Sequence, residues 1–398
     1  MGADTDELVA KYRFDVYNKT INLKGGGLMA LQNGDTRYVL MNKDIPMLDF
    51  LCRRNAFDEP EFSEVQWHTG LRPIGYRGLT AFLEQRKAPK HRKHIQQLLE
   101  QYGCDDLEGF LQVTHALSLN DTFWVRPADA ALTWREVSLY TNDFSEIISR
   151  AAFDGTISET DLSSTSPEFG TDGYYAKCWV REDDGIYLYK SGSAHYEIEP
   201  LSEYLASQLA AELCPGAVPY DMDFYHGKLI SKCPLFTSEA VGLAKASAVF
   251  LGEERTIPEL LAYFSGIGSE DAFRRMCVLD ALILNTDRHY GNFGVLFDTD
   301  TLEVQGMAPV FDHNRSLLPE LDNDQLADPA WYLERCRPRL GRDFILNARG
   351  LLTDSIHRDL ERLEDFSFRQ HPAIHAEQDR LDALGTIVRK RIKDILAN

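Results

Sequence analysis

The most constraining feature of this sequence is a polar loop that lies between two apolar segments. Residues 271–284 have the spacing of an amphipathic helix, and they run directly into Asn285-Thr286-Asp287-Arg288-His289-Tyr290-Gly291-Asn292-Phe293-Gly294. A polar centre with apolar flanks is typical of a functional site, because polar groups held within a fold need partners or a ligand. We therefore expect these side chains to form a site.

A second acidic residue follows this loop. Asp312 ends an apolar run, Pro309-Val310-Phe311, which predicts a short strand. Two acids, Asp287 and Asp312, could thus converge with the amide of Asn292. Phosphoryl transfer needs such a set, since a divalent metal on the phosphates is held by Asp and Asn, and the attacking hydroxyl is oriented by an Asp.

The cation that phosphate binding also requires is found upstream. Lys190 ends the second of two strand-like runs, 174–180 and 186–190, which predict a hairpin. Glu199 and Glu203 follow it, and because they are four residues apart they would share one helix face. Pro200 favours Glu203 as the partner of Lys190, since proline suits a first helical position and keeps the preceding residue out of the α region.

The order of predicted elements indicates the fold class. Residues 28–40 predict a hairpin with its turn at Asn33-Gly34, and residues 79–111 predict two helices separated by Pro89. Strands at 174–232 surround one helix that begins near Pro200. Beyond Thr237 the pattern is mostly helical, with helices expected after Pro258, at Glu270, around Asp359 and at 376–396. The sequence therefore predicts an α+β protein with a small β-rich lobe followed by a helical lobe.

Composition excludes several other classes of protein. With 44% hydrophobic and 26% charged residues the chain is globular, and its net charge of −20 argues against general binding to nucleic acid. We interpret two basic clusters, at 86–93 and 389–393, as solvated helix faces.

No apolar run is long enough for a membrane helix and the N-terminus is acidic, so we expect a cytoplasmic protein without a membrane partner. The seven cysteines contain no C-x-x-C pair, which argues against a zinc ribbon.

The loop at 285–294, followed by Phe311-Asp312, resembles the catalytic-loop and metal-binding signature of HipA-like serine/threonine kinases. The resemblance implies a two-lobed protein-kinase-like fold, with ATP and Mg²⁺ as cofactors and a protein hydroxyl as the acceptor. It implies that Asp287 is the catalytic base, that Asn292 and Asp312 bind metal, and that Lys190 with Glu203 serves the nucleotide phosphates. HipA-like kinases are associated with bacterial toxin–antitoxin systems and aminoacyl-tRNA synthetase substrates, which implies an antitoxin and a synthetase as partners.

The resemblance also implies where the rest of the nucleotide site would lie. The family's glycine-rich loop would fall at residues 163–173, and the hinge that meets adenine at 231–235. His289 would brace the catalytic loop. The further residues expected at the cofactor are Ser164, Thr165, Ser166, Gly170, Gly173, Lys232, Cys233 and Leu235.

The hydroxyls at 163–166 suggest autophosphorylation, because some HipA-like kinases phosphorylate this loop. The implied domains are an N-terminal α/β accessory region (1–150), a kinase N-lobe (151–236) and a helical C-lobe (237–398).

Two other functions are also considered. One is a nucleotide-binding pseudokinase that regulates a partner through residues 1–150. The other is a metal-dependent phosphohydrolase, in which His289 and His313 join Asp287 and Asp312 in a carboxylate and imidazole metal site. Lys190, Asn292 and the order of the lobes favour the kinase.

Overall fold

Antiparallel sheets and the helices that cover them form this fold. The computed structural model describes residues 35–87, 106–154, 166–170, 176–193 and 198–397. The described residues from Thr36 onward belong to one compact unit. None of the helices in these ranges combines the length and the apolar character needed to cross a bilayer.

The first sheet has the strand order β3-β2-β1-β4. Its elements, with the helices near it, are β1 (Thr36–Asn42), β2 (Ile45–Arg54), β3 (Pro60–Trp67), α1 (Leu79–Glu84), α2 (Leu107–Thr114), β4 (Phe123–Pro127), α3 (Trp134–Val137) and α4 (Glu146–Asp154). Strand β1 pairs with β2 on one side and β4 on the other. The turn predicted at Asn33-Gly34, before β1, and the helix predicted around Ile95 lie outside the described residues.

Both faces of β1 are buried, which explains its unbroken apolar sequence. Tyr38 and Leu40 pack into the main core, whereas Val39 and Met41 pack into a second apolar cluster. Successive side chains of a strand point to opposite faces, so an apolar run is expected wherever both faces are covered. Strand β1 is therefore an interior strand, whereas the outer strand β3 of the same sheet is mostly exposed.

The second sheet carries the predicted lysine. A 3₁₀ turn at Pro167–Gly170 precedes it, and its elements are β5 (Lys177–Glu182), β6 (Gly185–Ser191), α5 (Glu199–Leu213), β7 (Asp221–Tyr225) and β8 (Lys228–Pro234), with strand order β5-β6-β8-β7. The hairpin predicted at 174–190 is confirmed, since β5 pairs antiparallel with β6. Helix α5 begins one residue earlier than predicted, so Glu199 is helical and Pro200 follows it within the first turn.

A third sheet, in the order β11-β10-β9, lies where a mostly helical pattern was predicted. The elements from here to the C-terminus are β9 (Val241–Lys245), α6 (Ala246–Val249), α7 (Ile257–Gly266), α8 (Glu270–Ile283), β10 (Gly294–Asp298), β11 (Val304–Met307), α9 (Asn323–Ala327), α10 (Ala330–Leu333), α11 (Phe344–Leu351), α12 (Asp354–Arg362) and α13 (Gln378–Leu396). The predicted strand at Pro309–Phe311 is wrong, since β11 ends at Met307 and Pro309 has no N–H to continue it.

The second half of α8 lies at the centre of the helical part. All its residues from Arg275 to Ile283 are buried, which is the expected environment of a helix that is largely apolar all round. The first sheet is also tied to the third, because Asn42 Nδ2 donates to Thr299 O and Leu243 N donates to Asn120 O, both at 2.6 Å. The predicted α+β class, with a β-rich part before a mostly helical one, is confirmed.

Because His115, at the end of α2, has a lowered pKa, we expect the free energy of unfolding to depend on pH. Its backbone is left-handed (φ 51°), its ring lies 3.0 Å from Val125 O through Nδ1, and burial lowers its pKa. A lowered pKa in the folded state gives stability that is present above the unfolded-state pKa of about 6.5 and is lost as the pH falls below it. One such group makes the free energy of unfolding fall by up to about 1.4 kcal/mol for each unit of decreasing pH. We expect His115→Asn, in which asparagine tolerates the same backbone, to abolish this contribution. Urea unfolding from pH 7.5 to 5.5 measures it, and parallel profiles for the two proteins would contradict it.

Candidate active site

Lys190 lies between two carboxylates in the interior. From the end of β6 its Nζ donates to Glu203 Oε1 on α5 at 2.7 Å and to Asp312 Oδ1 at 3.0 Å. Glu199 instead accepts from the backbone N–H of Ser193 at 3.0 Å. The structure thus pairs Lys190 with Glu203, the residue that the sequence favoured.

Glu203 is fixed from three directions. Besides Lys190, its carboxylate accepts hydrogen bonds from the hydroxyl of Ser231 and from the backbone N–H of His313. Ser231 lies on β8 directly opposite Lys190 in the sheet. A buried carboxylate needs such donors, because an ionised group without partners is costly in the interior. Glu203 therefore joins β6, β8 and the segment that contains Asp312.

The charges of Lys190 and Asp312 stabilise each other. Burial acts to lower the pKa of Lys190, yet the carboxylates of Asp312 and Glu203 raise it well above its ordinary value. Burial acts to raise the pKa of Asp312, yet the ammonium groups of Lys190 and then Lys177 hold it below its ordinary range. Lys190 is therefore a cation and Asp312 an anion at neutral pH.

A buried arginine connects the polar loop with the Asp312 segment. The Arg288 guanidinium is almost fully buried and donates to the Asp280 carboxylate through Nε and Nη2, both at 3.0 Å. Its Nη1 donates to Asn292 O at 2.7 Å and to Phe311 O at 2.5 Å. One nitrogen atom thus holds together the backbone at Asn292 and at the residue before Asp312.

Asp287 is presented to solvent from a fixed backbone. Its N–H donates to Asn285 Oδ1 at 3.0 Å, and its carbonyl accepts from Asn292 Nδ2 at 2.9 Å. Its side chain is 42% exposed. This combination suits a group that must meet a hydroxyl from outside. Because the amide nitrogen of Asn292 is used by Asp287, the amide oxygen is the atom able to bind a cation.

Asp312 has an unusual backbone conformation. Its φ is +62°, and its N–H donates to the hydroxyl of Tyr220 at 2.9 Å. Left-handed backbone at a residue other than glycine is sparsely populated and clusters at functional sites. The Asp312 side chain is 21% exposed although one of its oxygens contacts Lys190. The second oxygen, with the amide oxygen of Asn292, fits the oxygen ligands that Mg²⁺ prefers.

The two histidines near the loop do not suit a metal site. His289 accepts the Gly291 N–H through Nδ1 at 2.9 Å, and His313 Nδ1 faces Arg288 Nη2 at 3.4 Å. A neutral imidazole that accepts at Nδ1 carries its proton on Nε2, which leaves no lone pair for a metal. Burial, and then the charge of Arg288, lower the pKa of His313 well below its ordinary value. Both histidines brace the loop instead.

Some of the predicted cofactor residues are not brought to Lys190. On β8, Lys232 lies between Ser231 and Cys233, so its side chain points to the face of the sheet opposite to Lys190. There its Nζ pairs with Glu182 at 2.6 Å and lies over the ring of Tyr187. Cys233 is buried on the face of Lys190, and Leu235 N donates to Ile186 O at 2.8 Å. Ser166 is buried and Gly170 ends the 3₁₀ turn, whereas Ser164, Thr165 and Gly173 lie outside the described residues.

The positioning roles of several residues of the site were not predicted. Tyr220 and Ser231 position the acids, Arg288 joins the loops, and Lys177 pairs with Lys190 across the hairpin. Lys177 could have been found, because a hairpin turn at Asp183-Asp184 places residues 177 and 190 opposite each other. The contacts of the other three carry no local signal, since their partners are distant in the sequence.

At Gly294, the last residue of the loop, we expect any added side chain to lower the stability of the fold. A Cβ built at this position would lie 2.2 Å from Ala244 O in the neighbouring strand β9, so the paired backbones would have to move apart. We expect Gly294→Ala to lower the free energy of unfolding by about 1–3 kcal/mol. Thermal unfolding measures it, with Gly266→Ala as the control because no atom lies within 4 Å of its Cβ position. Equal effects of the two variants would contradict this packing.

Comparison with known proteins found similar solved structures. No protein-family model and no curated protein sequence match it. It is similar to the solved structure of the Helicobacter pylori proinflammatory kinase CtkA, with 19% identity over 56% of this chain and 88% of that chain and a TM-score of 0.42. It is also similar to HipA of Shewanella oneidensis MR-1, solved with HipB and operator DNA, with 11% identity over 89% and 96% of the chains and a TM-score of 0.48.

Proposed function

We propose that this protein is a HipA-like kinase that transfers the γ-phosphoryl group of ATP to a serine or threonine hydroxyl of a protein. The observation that carries the proposal is the position of Asp312. Its carboxylate contacts Lys190, and the carbonyl before it shares Arg288 Nη1 with the carbonyl of Asn292. A lysine, a paired glutamate and two oxygen ligands in one cluster are the parts that hold a metal–nucleotide complex.

Asn292 and Asp312 would hold Mg²⁺ through their free side-chain oxygens. When bound, the metal supplies positive charge to the phosphates and orients them. Lys190 would neutralise the α- and β-phosphates, and Lys177, its cross-strand neighbour, adds a second positive charge on the same face of the sheet. The chain thus contributes charge and position rather than covalent chemistry.

Asp287 would orient the acceptor hydroxyl and take its proton. Its carboxylate is 42% exposed and lies 3.9 Å from His289 Nε2, so it can meet a substrate, while its backbone is held on both sides by Asn285 and Asn292. A base with a fixed main chain needs little reorganisation at the moment of transfer. We assign the lobes to residues 151–236 and 237–398, with residues 1–150 as an accessory region.

The hinge and loop assignments extend this proposal. Adenine would meet backbone groups at 231–235, where Leu188, Val218 and Phe236 form an apolar cluster with Cys233. Autophosphorylation would fall within residues 163–166. The Ser166 side chain is buried, so it would have to leave its position before it could accept a phosphoryl group.

Treatment of a cell lysate tests the function. The purified protein is incubated with lysate, Mg²⁺ and ATP that carries a heavy γ-phosphate, and labelled phosphopeptides are identified by mass spectrometry. We expect labelled serine or threonine peptides that are absent with Asp287→Asn. Binding of ATP without any labelled peptide would favour the regulatory pseudokinase instead. The antitoxin and the aminoacyl-tRNA synthetase that the resemblance implies stay predictions.

A further inference from the structure

Four arginines lie close together on the surface of a strongly acidic chain. They lie on the segment between α10 and α11, and all four side chains are exposed: Arg335, Arg337, Arg339 and Arg342. The chain has a net charge of −20. A local concentration of positive charge on an acidic surface attracts negatively charged partners to that place.

The fold holds this arginine segment in a defined shape. Cys336 and Leu340 are buried between the arginines and anchor the chain to the core. Gly341 has the left-handed φ of 74° that the turn requires, and Asn347 Nδ2 donates to Leu340 O at 2.8 Å. The arginines therefore project from an anchored segment, so their binding to a ligand orders little backbone.

None of the four guanidinium groups forms an ion pair with a carboxylate of the described residues. Among the residues that the structure describes, Arg337 donates only to the carbonyl of its neighbour Cys336, at 2.9 Å. Two acids flank the segment, Glu334 and Asp343, and Asp343 also accepts the N–H of Leu346 at the start of α11, so four arginines stand against two acids in this stretch. Positive charge thus remains in excess here, and it is available to an anion from outside the chain.

The arginine segment lies against the base of the catalytic loop. Pro338 and Leu340 line the same small cavity as Asn285 and Arg288. A second connection runs through Tyr332, whose hydroxyl donates to Glu320, the ion-pair partner of Arg315. Arg315 O in turn accepts from the N–H of Thr286, the residue before Asp287, at 3.4 Å. The arginine segment thus adjoins the loop that carries Asp287.

We propose that the arginine segment binds an acidic stretch of the protein substrate, rich in Asp and Glu, close to the phosphorylated hydroxyl. This inference rests on the proposed function, because it names the substrate class of that site. Guanidinium groups bind carboxylates through paired hydrogen bonds. A polypeptide fits better than a nucleic acid, since a short acidic stretch meets only the arginines, whereas an extended polyanion is also repelled by the rest of the surface.

Peptide binding without ATP tests the inference. Two fluorescein-labelled peptides with one serine each are compared by anisotropy, one with flanking glutamates and one with glutamines in their place. We expect the acidic peptide to bind about tenfold more tightly at low ionic strength, and this preference to fall as salt is added. The variant Arg335→Gln/Arg337→Gln/Arg339→Gln/Arg342→Gln should lose the preference.

The matched control removes the same charge elsewhere. It replaces four exposed basic residues that lie on other elements of the chain: Arg77, Arg135, Lys228 and Arg358, each by glutamine. The control should keep the tenfold preference with an unchanged melting temperature. Equal binding of the two peptides, or equal loss in both variants, overturns the inference, as does tighter binding of a single-stranded oligonucleotide that depends on the four arginines.

The binding experiment and the lysate experiment can fail independently. A peptide preference without phosphoryl transfer would support the acidic partner and refute the kinase. Transfer without the preference would support the kinase and refute the role of the arginine segment.

Discussion

Replacement of Arg288 by alanine is expected to lower the free energy of unfolding by about 3–5 kcal/mol. The guanidinium is buried against Asp280, whose carboxylate would be left in the interior with only the amide of Asn285 as a partner. The carbonyls of Asn292 and Phe311 would also lose their shared donor. Urea unfolding followed by circular dichroism measures the loss.

Two further variants make this result specific to the buried cluster. Arg358→Ala, on an exposed face of α12, should change the free energy of unfolding by less than about 0.5 kcal/mol. Asp280→Asn combined with Arg288→Met should recover part of the loss, because removing both charges leaves no unpaired ion. A loss below about 1 kcal/mol for Arg288→Ala would contradict the role of this residue as the link between the loops.

Replacement of Asp287 by asparagine is expected to reduce phosphoryl transfer by about 10²–10⁴-fold while nucleotide binding is retained. The amide cannot take the proton of the acceptor hydroxyl, but the backbone hydrogen bonds of the loop remain possible for asparagine. Single-turnover transfer of labelled phosphate to an acceptor from the lysate experiment gives the rate, and calorimetry gives the nucleotide affinity.

Asp183→Asn provides the matched control for Asp287→Asn. This residue is an exposed acid in the turn between β5 and β6, so the same chemical change there should leave the transfer rate as it is. Transfer by Asp287→Asn at the rate of the unaltered protein would refute the assignment of the base.

The sequence predicted the acids and the lysine of the site because their order and spacing are local properties. The choice of Glu203 over Glu199 agrees with the structure, although the argument from Pro200 was incorrect in detail. Helix α5 includes Glu199, and it is the direction of the side chain that separates the two acids. The third sheet was missed because its strands have four or five residues, too few for an alternating pattern to show.

Buried arginines were the main features that local sequence could not predict. Arg86 and Arg391 belong to clusters that were interpreted as solvated helix faces, yet both are buried. Arg86 pairs with Asp121 at 2.8 Å, and Arg391 donates to Ala281 O. Burial of a guanidinium depends on partners that the fold brings from elsewhere in the chain, and the same reason hides the role of Arg288.

Binding of a non-hydrolysable ATP analogue, measured by calorimetry with Mg²⁺ and with EDTA, tests the central claim most directly. The account predicts that the unaltered protein binds the analogue at least about tenfold more tightly with Mg²⁺, and that Asp312→Asn abolishes this difference. Lys190→Met should weaken binding in both conditions. Absence of nucleotide binding, or equal affinity with Mg²⁺ and with EDTA in the unaltered protein, would contradict the account.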